Sequence, residues 1–256
     1  MFDLSGKNVL ITGSSKGIGK AIAQQMALAG AKVTISSRKE DVCNEVAKEI
    51  NDNLPEGSTG GAVVIPCNIN SKESLQNLVD QTHEKLGQID ALVCNAALNP
   101  YFGPSADIPD DAFDKIMSAN IKSNHWLCNM VLPEMKARKD GSIIVVSSIG
   151  GLRGSPVLGA YSISKAADMQ LVRNLAVEHG ADNVRVNAIA PGLIKTDFAR
   201  ALWENPAILK RATSQAPLQR IGMPDEIAGA AVFMASKAGT FLTGQTLTID
   251  GGQTIA

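Results

Sequence analysis

Short apolar runs rich in β-branched residues alternate with longer stretches of helical periodicity along the whole chain. The runs that we interpret as buried strands cover residues 9–11, 33–35, 63–65, 91–93, 143–146 and 184–190. Between them, apolar side chains recur every three or four residues, as at Ile18, Ile22 and Met26. This spacing is typical of helices with one buried face, and uninterrupted apolar strands suit a parallel sheet that is covered on both faces. The alternation therefore predicts an α/β fold with a doubly wound parallel sheet.

Two stretches interrupt this alternation. Residues 99–109 are rich in proline and glycine, and residues 191–217 mix large apolar side chains with charged ones. In a doubly wound sheet of the Rossmann type, ligands lie outside the carboxyl ends of the strands, and both stretches follow strands. We therefore predict a single domain over residues 1–256, with a substrate lid at about residues 192–217.

Charge and cysteine content narrow the class of ligand. The chain has 24 basic and 25 acidic side chains and no long block of like charge, which favours a small molecule over nucleic acid or a membrane surface. Its four cysteines and three histidines are widely scattered, so we interpret the cysteines as reduced core residues and predict no metal site. Because no signal peptide and no apolar stretch of about 18 residues is present, we expect a cytoplasmic protein.

A glycine-rich turn follows the first predicted strand. Residues 12–19 read T-G-S-S-K-G-I-G, and the helical periodicity begins at Ile18. Gly13 permits the tight turn, Gly17 lets the backbone approach a pyrophosphate, and Gly19 allows close packing of helix and strand. The free N–H groups at the helix N-terminus favour an anion. The turn lacks the G-K-[ST] ending of a nucleoside triphosphate loop, so it indicates a dinucleotide; a tight turn without a ligand is the alternative.

The end of the second strand indicates which dinucleotide binds. An acidic residue normally holds the ribose 2′-hydroxyl of NAD at this position. Here the strand is followed by Ser37, Arg38 and Lys39 without a carboxylate. Arg38 can pair with a 2′-phosphate, Ser37 can donate a hydrogen bond, and Lys16 in the glycine turn adds a third contact. We therefore predict NADP, against the alternative that these cations are simply solvated.

A tyrosine and a lysine four residues apart suggest acid–base chemistry. Tyr161 and Lys165 share one face of a helix predicted over about residues 156–180, and Ser148 closes the preceding strand. Lowering the pKa of a phenol from about 10 by three units needs roughly 4 kcal/mol. An ammonium group about 4 Å away supplies that much at an effective dielectric constant near 20. From spacing alone, an ordinary exposed helix face remains equally open.

Several of these motifs occur together in the order and spacing of one protein family. The chain resembles the short-chain dehydrogenases/reductases over essentially its whole length. The residues that carry the resemblance are T-G-x-x-x-G-x-G at 12–19, N-A-A at 95–97, Asn120, Ser148, Y-x-x-x-K at 161–165, Pro191-Gly192 and D-G-G at 250–252. Two departures are Ala97, where the family often has glycine, and Asn68, where it often has aspartate; we expect neither to abolish activity.

The resemblance implies a catalytic tetrad of Asn120, Ser148, Tyr161 and Lys165. Tyr161 would give a proton to the carbonyl oxygen of the substrate as the nicotinamide donates hydride to carbon, or remove it in the reverse reaction. Ser148 would hydrogen-bond the same oxygen. Lys165 would lower the pKa of Tyr161 and bind the nicotinamide ribose, and Asn120 would anchor a water that links Lys165 to solvent.

The predicted coenzyme site combines the glycine turn, the second strand end and positions carried over from the family. Of these positions, residues 68–69 would contact adenine, residues 95–97 the adenosine side, and residues 194 and 196 the nicotinamide amide and phosphates. The complete predicted set is Gly13, Ser15, Lys16, Gly17, Ile18, Gly19, Ser37, Arg38, Asn68, Ile69, Asn95, Ala96, Ala97, Tyr161, Lys165, Pro191, Gly192, Ile194 and Thr196.

One branch of the family is especially similar, namely the tetrameric NADPH-dependent carbonyl reductases that act on dicarbonyls, aryl ketones and retinal. The similarity lies in residues 36–39, 95–103 and 190–203. It implies reversible reduction of a ketone or aldehyde and a homotetramer. Apolar residues that could wall a pocket for a hydrophobic ketone are Tyr101, Phe102, Leu152, Phe198, Leu202 and Trp203. The last two could instead only pack the lid onto the body.

Two alternative functions remain open. A 3-oxoacyl-[acyl-carrier-protein] reductase shares the fold, the tetrad and NADPH, and would need a basic surface such as Lys136, Arg138 and Lys139 provide. A dinucleotide-binding sensor without turnover is more distant, because both Tyr161 and Lys165 are present. Two predicted helices carry more apolar residues than one face packed on the sheet needs, as a contact between subunits of a tetramer would require. These residues are Val131, Leu132, Met135, Met169, Leu171 and Val172.

Overall fold

The apolar runs form seven parallel strands of one sheet in the computed structural model, which describes residues Met1–Ala256. The strands are β1 (Asn8–Thr12), β2 (Lys32–Ser36), β3 (Gly61–Val64), β4 (Ala91–Cys94), β5 (Gly141–Val146), β6 (Val184–Pro191) and β7 (Thr246–Ile249). Their order across the sheet is β3-β2-β1-β4-β5-β6-β7. The chain thus runs outward from β1 to β3 and returns to place β4 on the other side of β1. This order confirms the doubly wound, Rossmann-type sheet predicted from the sequence.

Nine α-helices connect and cover the strands. They are α1 (Gly17–Leu28), α2 (Glu40–Asp52), α3 (Lys72–Leu86), α4 (Asp110–Met117), α5 (Ser123–Arg138), α6 (Gly159–His179), α7 (Arg200–Trp203), α8 (Pro206–Ser214) and α9 (Pro224–Ala235). A π-helical turn, Ser118–Lys122, joins α4 to α5. The helix predicted from about residue 156 begins only at Gly159, because Ser155 Oγ accepts hydrogen bonds from the N–H groups of Val157 and Leu158 and holds a turn there.

Successive strand residues point to opposite faces of the sheet and so build two separate cores. In β1, Val9 and Ile11 pack with α1, α2 and α9, whereas Leu10 packs with α3, α5 and α6. Covering helices on both faces explain why apolar strand residues point to both faces of the sheet instead of alternating with polar ones. The four cysteines are buried and unpaired in these layers, which confirms their interpretation as reduced core residues.

The apolar residues that we assigned to a subunit contact belong to the core of the chain itself. Val131, Leu132 and Met135 on α5 are buried, as are Met169 and Val172 on α6, while Leu171 packs against the same cluster. The assignment was wrong because α5 lies against both the sheet and α3 and therefore buries more than one stripe.

The two irregular stretches lie beside the carboxyl ends of the strands. Residues 99–109 are tied to the segment before α6 by a bridge between Gly103 and Leu158. Residues 191–217 carry α7 and α8, and a second bridge joins Ile194 to Gly222. No helix in the structure combines the length and the hydrophobicity that a membrane span requires.

Candidate active site

A cleft of about 310 Å³ opens at the carboxyl ends of the strands and contains most of the predicted coenzyme site. The predicted residues that line it are Gly13, Ser15, Lys16, Gly17, Ile18, Ser37, Arg38, Asn68, Ile69, Asn95, Ala96, Ala97, Tyr161, Lys165 and Thr196. The residues that line it but were missed in the sequence are Ser36, Cys67, Asn70, Leu98, Val146, Ser147 and Asp197, and Phe198, predicted for the substrate pocket, lines it as well. Most of the missed residues are direct neighbours of predicted ones along the chain, so a wider margin around each motif finds them.

Some predicted coenzyme residues support the wall of the cleft rather than line it. A Cβ added at Gly192 would lie only 2.8 Å from the Cα of Asp250, so Gly192 packs directly against Asp250. Ile194 is 5 % exposed and packs into the core layer of α1 and α9. Pro191 is the last residue of β6. These residues position Thr196, whose side chain reaches the cleft.

The glycine turn brings the backbone close to the site that we predicted for a pyrophosphate. Gly13 and Gly17 have positive φ angles of 65° and 56°, which L side chains rarely adopt. The N-terminus of α1 has no side-chain cap, so its first N–H groups remain available to an anion. A Cβ at Gly17 would meet Thr196 Cγ2 at 3.2 Å, so the turn faces the loop after β6 across a narrow gap.

Asn95 and Thr12 join the loops after β4 and β1. The N–H groups of Asn95 and Ala96 both donate to Thr12 Oγ1, at 3.1 and 3.2 Å. Asn95 Nδ2 donates to the carbonyl oxygens of Thr12 and Gly13, each at 3.0 Å. These bonds fix the spacing between the two neighbouring strand ends at the switch point.

Gly19 has no room for a side chain at this junction. A Cβ there would lie 2.4 Å from both Gly13 O and Asn95 Nδ2. We expect Gly19→Ala to cost about 1–3 kcal/mol of unfolding free energy through overpacking and to weaken coenzyme binding. Gly229→Ala in α9 is the matched control, because no atom lies within 4 Å of the added Cβ; it should stabilise the protein. Urea denaturation measures both, and equal effects of the two substitutions would contradict this packing role.

One end of the cleft is cationic. Arg38 and Lys16 are exposed side chains that line it, and no acidic residue follows β2 there. Asp197 is the acidic residue of the lining, and it is paired with Arg200 at 2.5 Å. The end near β2 therefore favours an anionic group.

Of the four predicted catalytic residues, Tyr161 and Lys165 line the other end of the cleft, and Ser148 lies close to Tyr161 without being part of the lining. Lys165 Nζ lies 5.8 Å from the centroid of the Tyr161 ring. A Cβ added at Gly150 would lie 3.4 Å from Ser148 Oγ and 3.7 Å from Tyr161 Cε1, so both side chains lie close to Gly150. The neighbouring Ser147 Oγ donates to the carbonyl oxygen of Lys165 at 2.7 Å and so joins the end of β5 to α6.

Lys165 is buried and charged. Its Nζ donates to Val146 O at 2.9 Å and to Asp168 Oδ2 at 3.1 Å, and its side chain is 2 % exposed. Burial acts to lower the pKa of Lys165, but the interactions with Asp168 and Tyr161 together outweigh this effect and leave the pKa above its usual value. Lys165 is therefore an ammonium group at neutral pH, as acid–base chemistry at Tyr161 requires.

Asn120 lies deeper, in the π-helical turn. Its side chain accepts from Leu98 N at 2.9 Å and donates to Leu98 O and to Ser164 Oγ. Ser164 Oγ in turn donates to the carbonyl oxygen of Tyr161 at 2.7 Å. In this structure Asn120 therefore supports the loop after β4 and the first turns of α6, and does not contact Lys165 directly.

Of the apolar residues predicted to wall a substrate pocket, only Phe198 lines the cleft. Phe198 lies beside Tyr161, with ring centroids 6.1 Å apart and ring planes tilted by 41°, and is half-exposed. Phe102 and Leu152 are also half-exposed apolar side chains. Trp203 does not line the cleft; its Nε1 donates to Thr196 O at 2.8 Å and ties α7 to the loop after β6.

Comparison with known proteins defines the class of this fold and site. A sequence family described as enoyl-(acyl carrier protein) reductase matches residues 13–254. Dehydrogenase/reductase SDR family member 4 of Bos taurus is 41% identical over 97% of this chain and 88% of its own length. The chain belongs to the short-chain dehydrogenase/reductase family.

Solved structures agree with this assignment. A 7α-hydroxysteroid dehydrogenase complexed with NADH and 7-oxo glycochenodeoxycholic acid superposes with a TM-score of 0.92 and 37% identity, covering 98% of this chain and 95% of its own. A gluconate 5-dehydrogenase from Burkholderia cenocepacia, in complex with NADP and tartrate, gives 0.93 and 30%, covering 100% and 98%. The protein is an oxidoreductase of this family.

Proposed function

We propose that the protein is an NADP-dependent oxidoreductase that reduces a ketone or aldehyde to an alcohol, reversibly. The observation that carries the proposal is one cleft with two chemically distinct ends. Arg38 and Lys16 make one end cationic, Tyr161 and the charged Lys165 line the other, and Ser148 lies close to Tyr161 beside Gly150. A dinucleotide with an added phosphate fits this polarity.

The residues of the cleft fit NADP(H) on structural grounds. The uncapped N-terminus of α1 would bind the pyrophosphate, and the exposed guanidinium of Arg38 the 2′-phosphate, helped by Ser37 and Lys16. The NADH-bound and NADP-bound neighbours share one fold, so the end of β2 decides between the coenzymes. The other residues proposed to contact the coenzyme are Asn68, Ile69, Asn95, Ala96, Ala97 and Thr196.

The proposed chemistry divides between the coenzyme and three side chains. The reduced nicotinamide supplies hydride to the carbonyl carbon when it is bound. Tyr161 gives its hydroxyl proton to the carbonyl oxygen, and Ser148 donates a hydrogen bond to that oxygen as negative charge grows on it. The ammonium of Lys165 stabilises the phenolate that Tyr161 leaves behind. In alcohol oxidation the same phenolate removes the proton.

The substrate side favours an apolar or dicarbonyl compound. Phe198 next to Tyr161, and also Phe102 and Leu152, are half-exposed apolar side chains that we assign to the substrate side. We propose that residues 192–217 act as a lid within one domain that spans the chain. We also propose a homotetramer, for which α6 offers the exposed apolar side chains of Ile163 and Val177.

The basic residues that an acyl carrier protein would need lie elsewhere. Arg138 binds Ile89 O, just before β4, and pairs with Glu134. Lys136 lies 3.8 Å from Asp182. These contacts are at the amino ends of the strands, opposite the cleft, so they do not favour a carrier protein at the site.

A substrate panel tests the proposal. NADPH oxidation is followed with a diketone, an aryl ketone and an acetoacetyl thioester, and each reaction is repeated with NADH. We expect the diketone and the aryl ketone to be reduced with NADPH. If the thioester is clearly the best substrate, a 3-oxoacyl-[acyl-carrier-protein] reductase replaces the proposal, and tight NADPH binding without any oxidation indicates a sensor.

A further inference from the structure

A buried carboxylate stands behind the proposed catalytic lysine. Asp168 lies three residues after Lys165 on α6, and its side chain is 0 % exposed. Asp168 Oδ2 accepts from Lys165 Nζ at 3.1 Å, and its Oδ1 accepts from Asn124 Nδ2 at 3.0 Å. Asn124 Nδ2 also donates to the carbonyl oxygen of Asn120 at 2.7 Å. The structure thus links Asn120 to Lys165 through two side chains that the sequence analysis did not select.

This arrangement fixes the direction of the lysine side chain. Two of the three donors on Nζ are occupied, one by Val146 O at the end of β5 and one by Asp168. Asp168 is held from the other side by Asn124 on α5. The ammonium is therefore clamped between β5 and α6, with the Tyr161 ring 5.8 Å away.

The surroundings supply no other counterion. Tyr161 and Asp168 face the ammonium from α6, and the nearby titratable groups on the other elements are the thiols of Cys94 at the end of β4 and Cys128 on α5. Burial raises the pKa of the Asp168 carboxyl, an effect that Lys165 and Asn124 oppose. An unpaired ammonium at this depth would be costly, because a buried charge needs a partner.

We infer that Asp168 is a positioning residue of the reaction: its buried carboxylate keeps Lys165 charged and holds the ammonium at a fixed place beside Tyr161. Asn124 completes the clamp by orienting the carboxylate. The inference rests on the proposed function, since it assigns Asp168 a role in the proton transfer at Tyr161. It predicts that Asp168 governs the alkaline limit of carbonyl reduction, because removal of a negative charge makes the Tyr161–Lys165 pair lose its proton at lower pH.

The test compares Asp168→Asn with a matched substitution far from the cleft. Asp90 is another buried carboxylate with a lysine partner; it accepts from Asn8 N and Lys7 Nζ at the amino end of β4. In both positions the new amide faces one N–H donor, so both variants lose a hydrogen bond as well as a charge. We expect Asp168→Asn to lower the apparent pKa of the alkaline limb by about one unit or more, as a charge this close implies. Asp90→Asn should leave that limb in place, and Asp168→Glu should largely restore it.

A purely structural role of Asp168 predicts a different result. Asp168→Asn would then reduce stability and turnover at all pH values and leave the alkaline limb where the parent protein has it, which overturns the inference. If Asp168→Asn does not fold, the unmodified protein is titrated with ¹³C-labelled lysine. At pH 10.5, where a lysine with its ordinary pKa is half protonated, we expect Lys165 to be mainly ammonium; an ammonium fraction of half or less overturns the inference.

The proposed function can fail separately. If Tyr161→Phe retains full turnover, the assignment of Tyr161 is wrong whatever Asp168 does, and the lysine titration still reports whether Asp168 holds Lys165 charged. If Tyr161→Phe is inactive and the limb does not move in Asp168→Asn, only the role of Asp168 is refuted.

Discussion

Tyr161→Phe should abolish carbonyl reduction while coenzyme binding persists. The substitution removes only the hydroxyl, and proton transfer from a positioned side chain contributes typically about 10²–10⁴-fold to a rate. The ring, its contact with Phe198 and the burial of Lys165 remain, so the cleft keeps its shape. Stopped-flow or steady-state NADPH oxidation measures kcat, and quenching of protein fluorescence measures NADPH affinity.

The chain offers a second phenol as a control. Tyr101 OH donates to Pro104 O at 3.0 Å, within the loop of residues 99–109. Tyr101→Phe removes a hydroxyl from this loop and should reduce kcat far less than Tyr161→Phe does. Comparable losses in both variants, or retained turnover in Tyr161→Phe, would refute proton donation by Tyr161.

Arg38→Ala should weaken NADPH binding by about 10–150-fold and leave NADH binding nearly unchanged. A hydrogen bond to a charged group is worth roughly 1.5–3 kcal/mol, which corresponds to that range of dissociation constants. Only NADPH carries the 2′-phosphate that the guanidinium would pair with. Isothermal titration with both coenzymes gives the two dissociation constants directly.

Lys39 serves as the matched control for Arg38. It is the next residue, it is also exposed, and it does not line the cleft. Lys39→Ala should therefore change neither coenzyme affinity much, apart from a small long-range effect of charge. An equal loss of affinity for NADH and NADPH in Arg38→Ala would mean that Arg38 supports the cleft rather than reads the phosphate.

Local patterns were enough to predict the sheet and most of the cleft. The apolar runs mark the strands because helices cover both faces of the sheet, and the glycine turn can be recognised because Gly13 and Gly17 need positive φ angles. Most residues that line the cleft could be predicted because ligands of such a sheet bind outside the carboxyl ends of its parallel strands. These features depend on residues close in sequence or on one rule of topology.

Features that depend on packing between distant segments were missed. The apolar excess of α5 indicated a subunit contact only because its burial against α3 is invisible in periodicity. Asp168 was overlooked although an acidic residue on the same helix face as Lys165 is a local signal. Its partner Asn124 lies 44 residues away, so the sequence alone does not show that the two meet.

The loop of residues 99–109 belongs to neither core layer, and none of its side chains is buried. Its bridge from Gly103 to Leu158 nevertheless brings it next to the helix that carries Tyr161. Under the proposed function this loop borders the substrate, so selection can remodel it, and with it the range of compounds that are accepted, at little thermodynamic penalty to the scaffold. Substrate preference is then free to diverge faster than the chemistry.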